Sequence, residues 1–259
     1  MNYMKKLIAG FLCLAVVGLA GCAQNQDDSK NEANNAQSSE QTNNAQTTDQ
    51  NNAQTNEQAN SDTNKQDDNS AEINGVSYDN PIKVNKEAKT VTVLSSVNGK
   101  YLTENTRHAS VNKDGSNGAK SVLTAYATPE QFYNALVEIG AKPGDNMTPE
   151  NGAETHVEGS KIGATVTWKG ADKDYDINEV IKDSNGKKID LRFGGNLERA
   201  KEKNTGCLTC LDSCPVGIVS NTTYTYGAVE KRNEVKFTGN ADVLPEDGTF
   251  VAVTYTLED

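Results

Sequence analysis

Large apolar side chains are missing from a long stretch near the start of this chain. Residues 23–72 contain no valine, isoleucine, leucine, methionine, phenylalanine, tyrosine or tryptophan, and the tetrapeptide Asn-Asn-Ala-Gln recurs at Asn34, Asn43 and Asn51. Such a segment cannot bury enough apolar surface to offset the entropy lost on ordering its backbone. The composition predicts a disordered low-complexity linker over 23–72, followed by one globular domain over 73–259.

Positive charge and the common catalytic motifs are also scarce. The 25 lysines and arginines are outnumbered by 36 aspartates and glutamates, which gives a formal net charge of −11. An acidic chain of this kind is not suited to nucleic acid as a partner. The sequence shows no Walker loop, no His-Glu-x-x-His motif and no recognisable serine triad. An enzyme is therefore the least supported class of function.

The N-terminus has the layout of an export signal. Lys5 and Lys6 precede an apolar run, Leu7–Leu19, which is too short to span a bilayer comfortably. The run ends in Leu19-Ala20-Gly21-Cys22, which resembles the lipobox of bacterial lipoproteins. The resemblance implies that residues 1–22 are a lipoprotein signal peptide with Cys22 as the lipidated residue. The acylated Cys22 would then hold the protein in the lipid bilayer, at the extracytoplasmic face of the cell membrane.

Residues 73–259 are rich in strand patterns. The β-branched runs 90–97 and 162–168, the alternating run 188–193 and the runs 234–237 and 250–255 predict strands. Thr128, Pro129 and Gln131 form the signature of a capped helix, and 178–182 and 197–203 are compatible with shorter helices. Because the strands do not alternate regularly with helices, we predict an α+β domain with a mainly antiparallel β-sheet, one clear helix and one or two short ones.

Three cysteines are concentrated at Cys207, Cys210 and Cys214, directly before Pro215. This spacing reproduces the last three cysteines and the proline of the bacterial ferredoxin run, C-x2-C-x2-C-x3-C-P. The position of the first cysteine holds Asn204, and no second motif supplies the missing ligand. A standard ferredoxin is thereby excluded, and what remains is one cluster held by three thiolates together with a non-cysteine ligand or an open iron.

Other chemistry fits the same cysteines. Zinc would need a fourth ligand, and His108 is the candidate imidazole, with His156 the only other histidine. In an exported protein, two of the three cysteines could instead pair as a structural disulfide and need no cofactor. The thiols themselves could also be redox-active. The sequence leaves these alternatives open.

Several stretches resemble one known family. They include Thr106-Arg107-His108 and a long run from Arg192-Phe193-Gly194-Gly195-Asn196 through the three cysteines to Gly217. From about Asp79 to Leu257 the chain is similar to YdjY-type domains of exported bacterial proteins, for which the cysteine motif implies ferredoxin-like behaviour. We therefore expect a metal or iron–sulfur site at Cys207, Cys210 and Cys214 that exchanges electrons with a redox partner protein. The alternative is a non-catalytic module of the cell envelope whose cysteines form a disulfide.

Overall fold

The computed structural model describes residues 72–258. The predicted signal peptide, Cys22 and residues 23–71 of the predicted linker lie outside this range. Within residues 72–258, every helix is too short or too polar to cross a membrane. The strands are β1 Ile82–Asn85, β2 Thr90–Val97, β3 His108–Asn112, β4 Leu123–Ala125, β5 Lys161–Trp168, β6 Tyr175–Asp176, β7 Ile181–Asp183, β8 Leu191–Phe193, β9 Cys207–Cys210, β10 Val219–Asn221, β11 Phe237–Gly239 and β12 Phe250–Leu257. The α-helices are α1 Pro129–Glu138, α2 Ile177–Val180 and α3 Leu197–Lys203.

Eight of these strands form a sheet that closes on itself. Their order is β2-β12-β5-β8-β10-β9-β3-β4, and β4 pairs again with β2. The β9–β10 and β3–β4 pairs are parallel, whereas the other pairs are antiparallel. Strand β1 is added to β2 and β6 to β5, and β7 and β11 form a separate two-stranded sheet. Closure leaves the eight strands without a free edge between them.

The predicted fold class, α+β around a mainly antiparallel sheet, is wrong. The described part is mostly β, with a closed eight-stranded sheet and only three short α-helices. Strands β3, β9 and β10 complete the closed sheet. Their sequences are His-Ala-Ser-Val-Asn, Cys-Leu-Thr-Cys and Val-Ser-Asn. These strands are short and fully buried but contain polar residues, so they lack the alternation that marks a strand in sequence.

The two long strands β2 and β12 show how the core is built. Successive side chains of a strand point to opposite faces of the sheet. One face contributes to the main core, and its buried residues from these two strands are Val91, Val93, Val97, Val251, Val253 and Tyr255. On the other face, Leu94 and Ala252 pack with Ile73 and Val76 in a smaller cluster. Both faces of this part of the sheet are therefore covered.

Helix α1 begins as its sequence predicts. Thr128 Oγ1 accepts a hydrogen bond from Gln131 N (3.2 Å), and Gln131 Oε1 accepts one from Thr128 N (2.9 Å). This capping box satisfies backbone donors that would otherwise be unpaired at the helix start. Phe132 is fully buried against Tyr255, with 4.6 Å between the ring centroids. The helix is thereby fixed to β12 through its buried face.

Candidate metal centre

The centre is built where β3 and β9 run side by side. The antiparallel ladder pairs His108 with Cys210 and Val111 with Cys207, and it shifts register twice in between. In a regular strand, Cys207 and Cys210 would point to opposite faces because they are three residues apart. Local bulges re-aim side chains in this way. The irregular ladder therefore brings both thiols to the same histidine.

The distances between these side chains fit one shared ion. The His108 Nδ1 atom is 3.5 Å from Cys207 Sγ and 3.9 Å from Cys210 Sγ. All three atoms lie within 4.8 Å of one another, and all three residues are buried. Metal bonds of about 2.3 Å to sulfur and about 2.0–2.1 Å to nitrogen, at a tetrahedral angle, put the two ligand atoms about 3.6 Å apart. The observed separations are close to that value.

The third cysteine adjoins this group. Cys214 is buried together with Cys207, Cys210 and Val111 in one small cluster. The Cys210 residue therefore has both other cysteines and His108 as neighbours. The backbone N–H of Gly217 donates to Cys214 Sγ at 3.4 Å. Each of the three cysteines is a free thiol. The structure therefore does not contain the disulfide of the alternative interpretation.

Interactions among the three thiols raise the pKa of one cysteine and lower the pKa of the other two. Hydrogen bonds with Cys207 and Cys214, together with burial, raise the pKa of Cys210. The hydrogen bond from Cys210 lowers the pKa of Cys207, and His108 lowers it further. The Cys210 hydrogen bond and the charge of Arg107 lower the pKa of Cys214 to about 7. A lowered pKa favours the thiolate, which is the form of cysteine that binds a cation.

A buried ion pair stands beside the thiols. Arg107 Nε and Nη2 donate to Asp212 Oδ1 at 3.1 and 2.5 Å, and Gly227 N donates to Asp212 Oδ2 at 2.8 Å. The Arg107 guanidinium also stacks on the Tyr226 ring, 4.5 Å from its centroid. Burial opposes the charge of Arg107, yet the negative charges of Cys214, Asp212 and Cys210 raise its pKa. Arg107 therefore supplies fixed positive charge to the cysteines.

A loop holds Cys214 in place. Asn196 Nδ2 donates to the carbonyl oxygens of Cys214 (3.2 Å) and Gly217 (3.1 Å), and Arg199 Nη1 donates to that of Pro215. Asn196 has a left-handed backbone, with φ of 56°, at the position just before α3. Asparagine tolerates this conformation better than most residues. The loop is thus anchored through three of its backbone carbonyl groups.

The sequence pointed to some of these residues and missed others. The structure brings together Cys207, Cys210, Cys214 and His108, the four predicted candidates. His156 lies elsewhere, where its exposed ring places Nδ1 2.5 Å from the carbonyl oxygen of Thr222. The buried pair Arg107–Asp212 was not predicted as part of the site. Its only sequence signal is position, because Asp212 lies between Cys210 and Cys214 and Arg107 directly precedes His108.

The described region is thus a closed-sheet domain with a buried group of three cysteines and one histidine. The family model described as YdjY domain matches residues 82–256, which include all four of these residues, and the chain belongs to this family. The resemblance noted in the sequence is confirmed. One relative, "Uncharacterized protein YdjY" of Escherichia coli (strain K12), is 58% identical over 255 residues, covering 98% of this chain and 96% of its own. No solved structure gave a significant match.

Proposed function

We propose that this protein binds a single metal ion through the thiolates of Cys207, Cys210 and Cys214 and the Nδ1 atom of His108. The observation that carries the proposal is the separation of His108 Nδ1 from two sulfurs, 3.5 and 3.9 Å, in a buried site. Three thiolates and one imidazole are a ligand set typical of closed tetrahedral zinc sites. The lowered pKa values of Cys207 and Cys214 would reduce the cost of forming the thiolates that bind such an ion.

A single ion fits these distances better than an iron–sulfur cluster. In a four-iron cluster each thiolate binds its own iron, so the ligands stand further apart than ligands that share one ion. The separations of His108 Nδ1 from Cys207 Sγ and Cys210 Sγ, 3.5 and 3.9 Å, favour a shared ion, and Cys214 belongs to the same buried cluster. Iron–sulfur binding is therefore the second candidate, supported by the ferredoxin-like spacing of the three cysteines.

The identity of the metal decides what the site does. With zinc, the ion would join β3, β9 and the Cys214 loop, and its function would be to stabilise the domain. With iron in the same ligand set, the site would carry one electron to or from a redox partner protein. All four ligands are buried, which is typical of a closed site and not of a catalytic site with an open position.

The proposal can be tested by measuring metal binding to the unaltered protein and to variants of its two histidines. Full-length protein is purified in detergent without oxygen and analysed, as isolated, for zinc, iron and acid-labile sulfide. A second sample is loaded with Co²⁺. We expect one metal ion per chain and the absorption of tetrahedral thiolate-bound cobalt. His108→Ala should weaken binding and change the spectrum, whereas His156→Ala should leave both as they are. Iron with equimolar sulfide would support the cluster instead, and the absence of any bound metal would refute both.

We further propose that the protein is a lipoprotein anchored in the bilayer through acylated Cys22, with its domain on the extracytoplasmic side. The support is the order of Lys5, Lys6, the apolar run and Leu19-Ala20-Gly21-Cys22. Cys22→Ala should release the protein from the membrane fraction or stall removal of the signal peptide, as seen by fractionation and mass spectrometry. Normal processing and membrane retention of that variant would contradict the proposal. Cys13→Ala, inside the apolar run, is the matched control and should behave as the unaltered chain.

A further inference from the structure

Two buried hydroxyl groups beside the thiols are without ordinary partners. Ser220 Oγ and Thr205 Oγ1 are both shielded from solvent, and neither makes a hydrogen bond of normal geometry. Ser220 is fully buried in β10. A hydroxyl removed from water without a partner costs free energy, so native proteins seldom retain one without a reason. Both of these hydroxyls lie next to cysteines of the candidate metal centre.

The place of Ser220 is set by strand pairing and by Gly217. The parallel ladder between β9 and β10 pairs Ser220 with Cys210. A Cβ atom added to Gly217 would lie 2.8 Å from Cys210 Sγ and 3.0 Å from Ser220 Oγ. The sulfur and the hydroxyl therefore converge on the same small space, which is open only because residue 217 is glycine.

Thr205 lies two residues before Cys207, which is the first residue of β9. Cys214 has its own donor in the Gly217 N–H group. A buried hydroxyl is thus placed near each of the other two cysteines, with Ser220 paired to Cys210 across the ladder and Thr205 two residues before Cys207.

We propose that Ser220 and Thr205 are positioning residues that donate their hydroxyl hydrogens to the Cys210 and Cys207 thiolates of the metal-bound site. The inference rests on the metal site proposed above. A metal-bound thiolate is an anionic acceptor, and hydrogen bonds to charged acceptors are stronger than those between neutral groups. Binding of the metal would therefore give both hydroxyls a charged acceptor. The three donors would also spread the negative charge of the thiolates and fix their orientation.

The proposal predicts effects of opposite sign on the two states of the protein. In the full-length protein, Ser220→Ala removes an unsatisfied group from the metal-free form, so its urea midpoint should rise or stay the same. The affinity for Co²⁺ should fall about tenfold or more, since groups that support metal ligands commonly contribute this much. The sulfur-to-cobalt absorption band should move to lower energy because the thiolate loses a donor. A merely structural role would not produce this combination.

Other variants provide controls. Thr205→Ala should behave as Ser220→Ala does, whereas Thr205→Ser retains the hydroxyl and should keep the affinity and spectrum of the unaltered protein. Ser95 Oγ is another buried hydroxyl without a partner, but it lies in β2, which β4 and β3 separate from β9. Ser95→Ala should leave cobalt binding unchanged.

The outcomes separate this inference from the function on which it rests. If the unaltered protein shows thiolate-bound cobalt and the alanine variants at 205 and 220 bind it equally well with the same spectrum, the positioning role is overturned while the metal site stands. If the unaltered protein shows no thiolate-bound cobalt, both are overturned. Should Ser220→Ala fail to fold, the comparison of Thr205→Ala with Thr205→Ser decides the matter.

Discussion

The buried ion pair of Arg107 and Asp212 makes a measurable prediction about stability. Their side chains are 9% and 0% exposed, and Asp212 accepts hydrogen bonds from Arg107 and from the Gly227 N–H group. Asp212→Ala would leave the guanidinium buried without its carboxylate. Breaking a buried pair from one side typically costs about 3–5 kcal/mol. Because the charge of the Cys214 thiolate also acts on Arg107, we expect the lower end of that range.

A double variant separates loss of the pair from burial of an unpaired charge. Arg107→Met combined with Asp212→Asn removes both charges, and the asparagine oxygen can still accept from Gly227 N. We expect its free energy of unfolding to lie within about 1–2 kcal/mol of the unaltered protein, because replacing both partners of a buried pair is often close to neutral. The single variant should therefore be less stable than the double one.

The assay is urea unfolding of the metal-free full-length protein at neutral pH, followed by circular dichroism, with the m-value checked for constancy. Asp242→Ala serves as the control, since Asp242 pairs with Lys182 on the surface, and it should change stability little. A loss below about 1 kcal/mol for Asp212→Ala would refute the reasoning. So would a double variant that is as unstable as the single one.

Three further predictions concern single residues. Gly217→Ala should lower the free energy of unfolding by about 1–3 kcal/mol and weaken metal binding, because the new methyl group would lie 2.8 Å from Cys210 Sγ. Unchanged cobalt affinity would contradict this prediction. Burial raises the pKa of Tyr255 from 10.0 to about 12, so its contribution to stability should be complete below pH 10 and disappear as pH rises through 12. Tyr255→Phe should reduce the loss of unfolding free energy between pH 10 and 12. If the two proteins lose stability equally steeply over this range, the prediction is wrong. Thr128→Ala should cost about 1 kcal/mol in urea unfolding through loss of the α1 cap, while Thr128→Ser should retain most of it.

Local patterns in the sequence identified the elements that are regular. The β-branched runs correspond to β2, β5 and β12, and the Thr128–Gln131 signature corresponds to the start of α1. The closure of the sheet could not be predicted in the same way. It depends on short strands such as Val219–Asn221, where burial on both faces comes from tertiary packing and leaves no period to detect.

The candidate centre, too, could be predicted only in part from the sequence. The spacing of Cys207, Cys210 and Cys214 is a local signal and was visible in the sequence. The contact of His108 with Cys207 joins residues 99 positions apart, and it depends on the register of β3 against β9. Ser220 carried no signal at all, since a serine in a short strand is typical of many environments. Its place beside Cys210 follows only from the parallel pairing of β9 with β10.

The position of β12 in the closed sheet has a consequence for how the chain folds. This strand, Phe250–Leu257, is the last element of the described chain, yet it lies between β2 and β5 and pairs with both along most of its length. A chain synthesised from its N-terminus cannot close the sheet until β12 is available. Such non-local pairing gives a high contact order, which slows folding because long loops must close before any contact stabilises them. The nascent chain would therefore keep exposed strand edges until β12 has been synthesised, and a truncation that removes β12 would prevent closure.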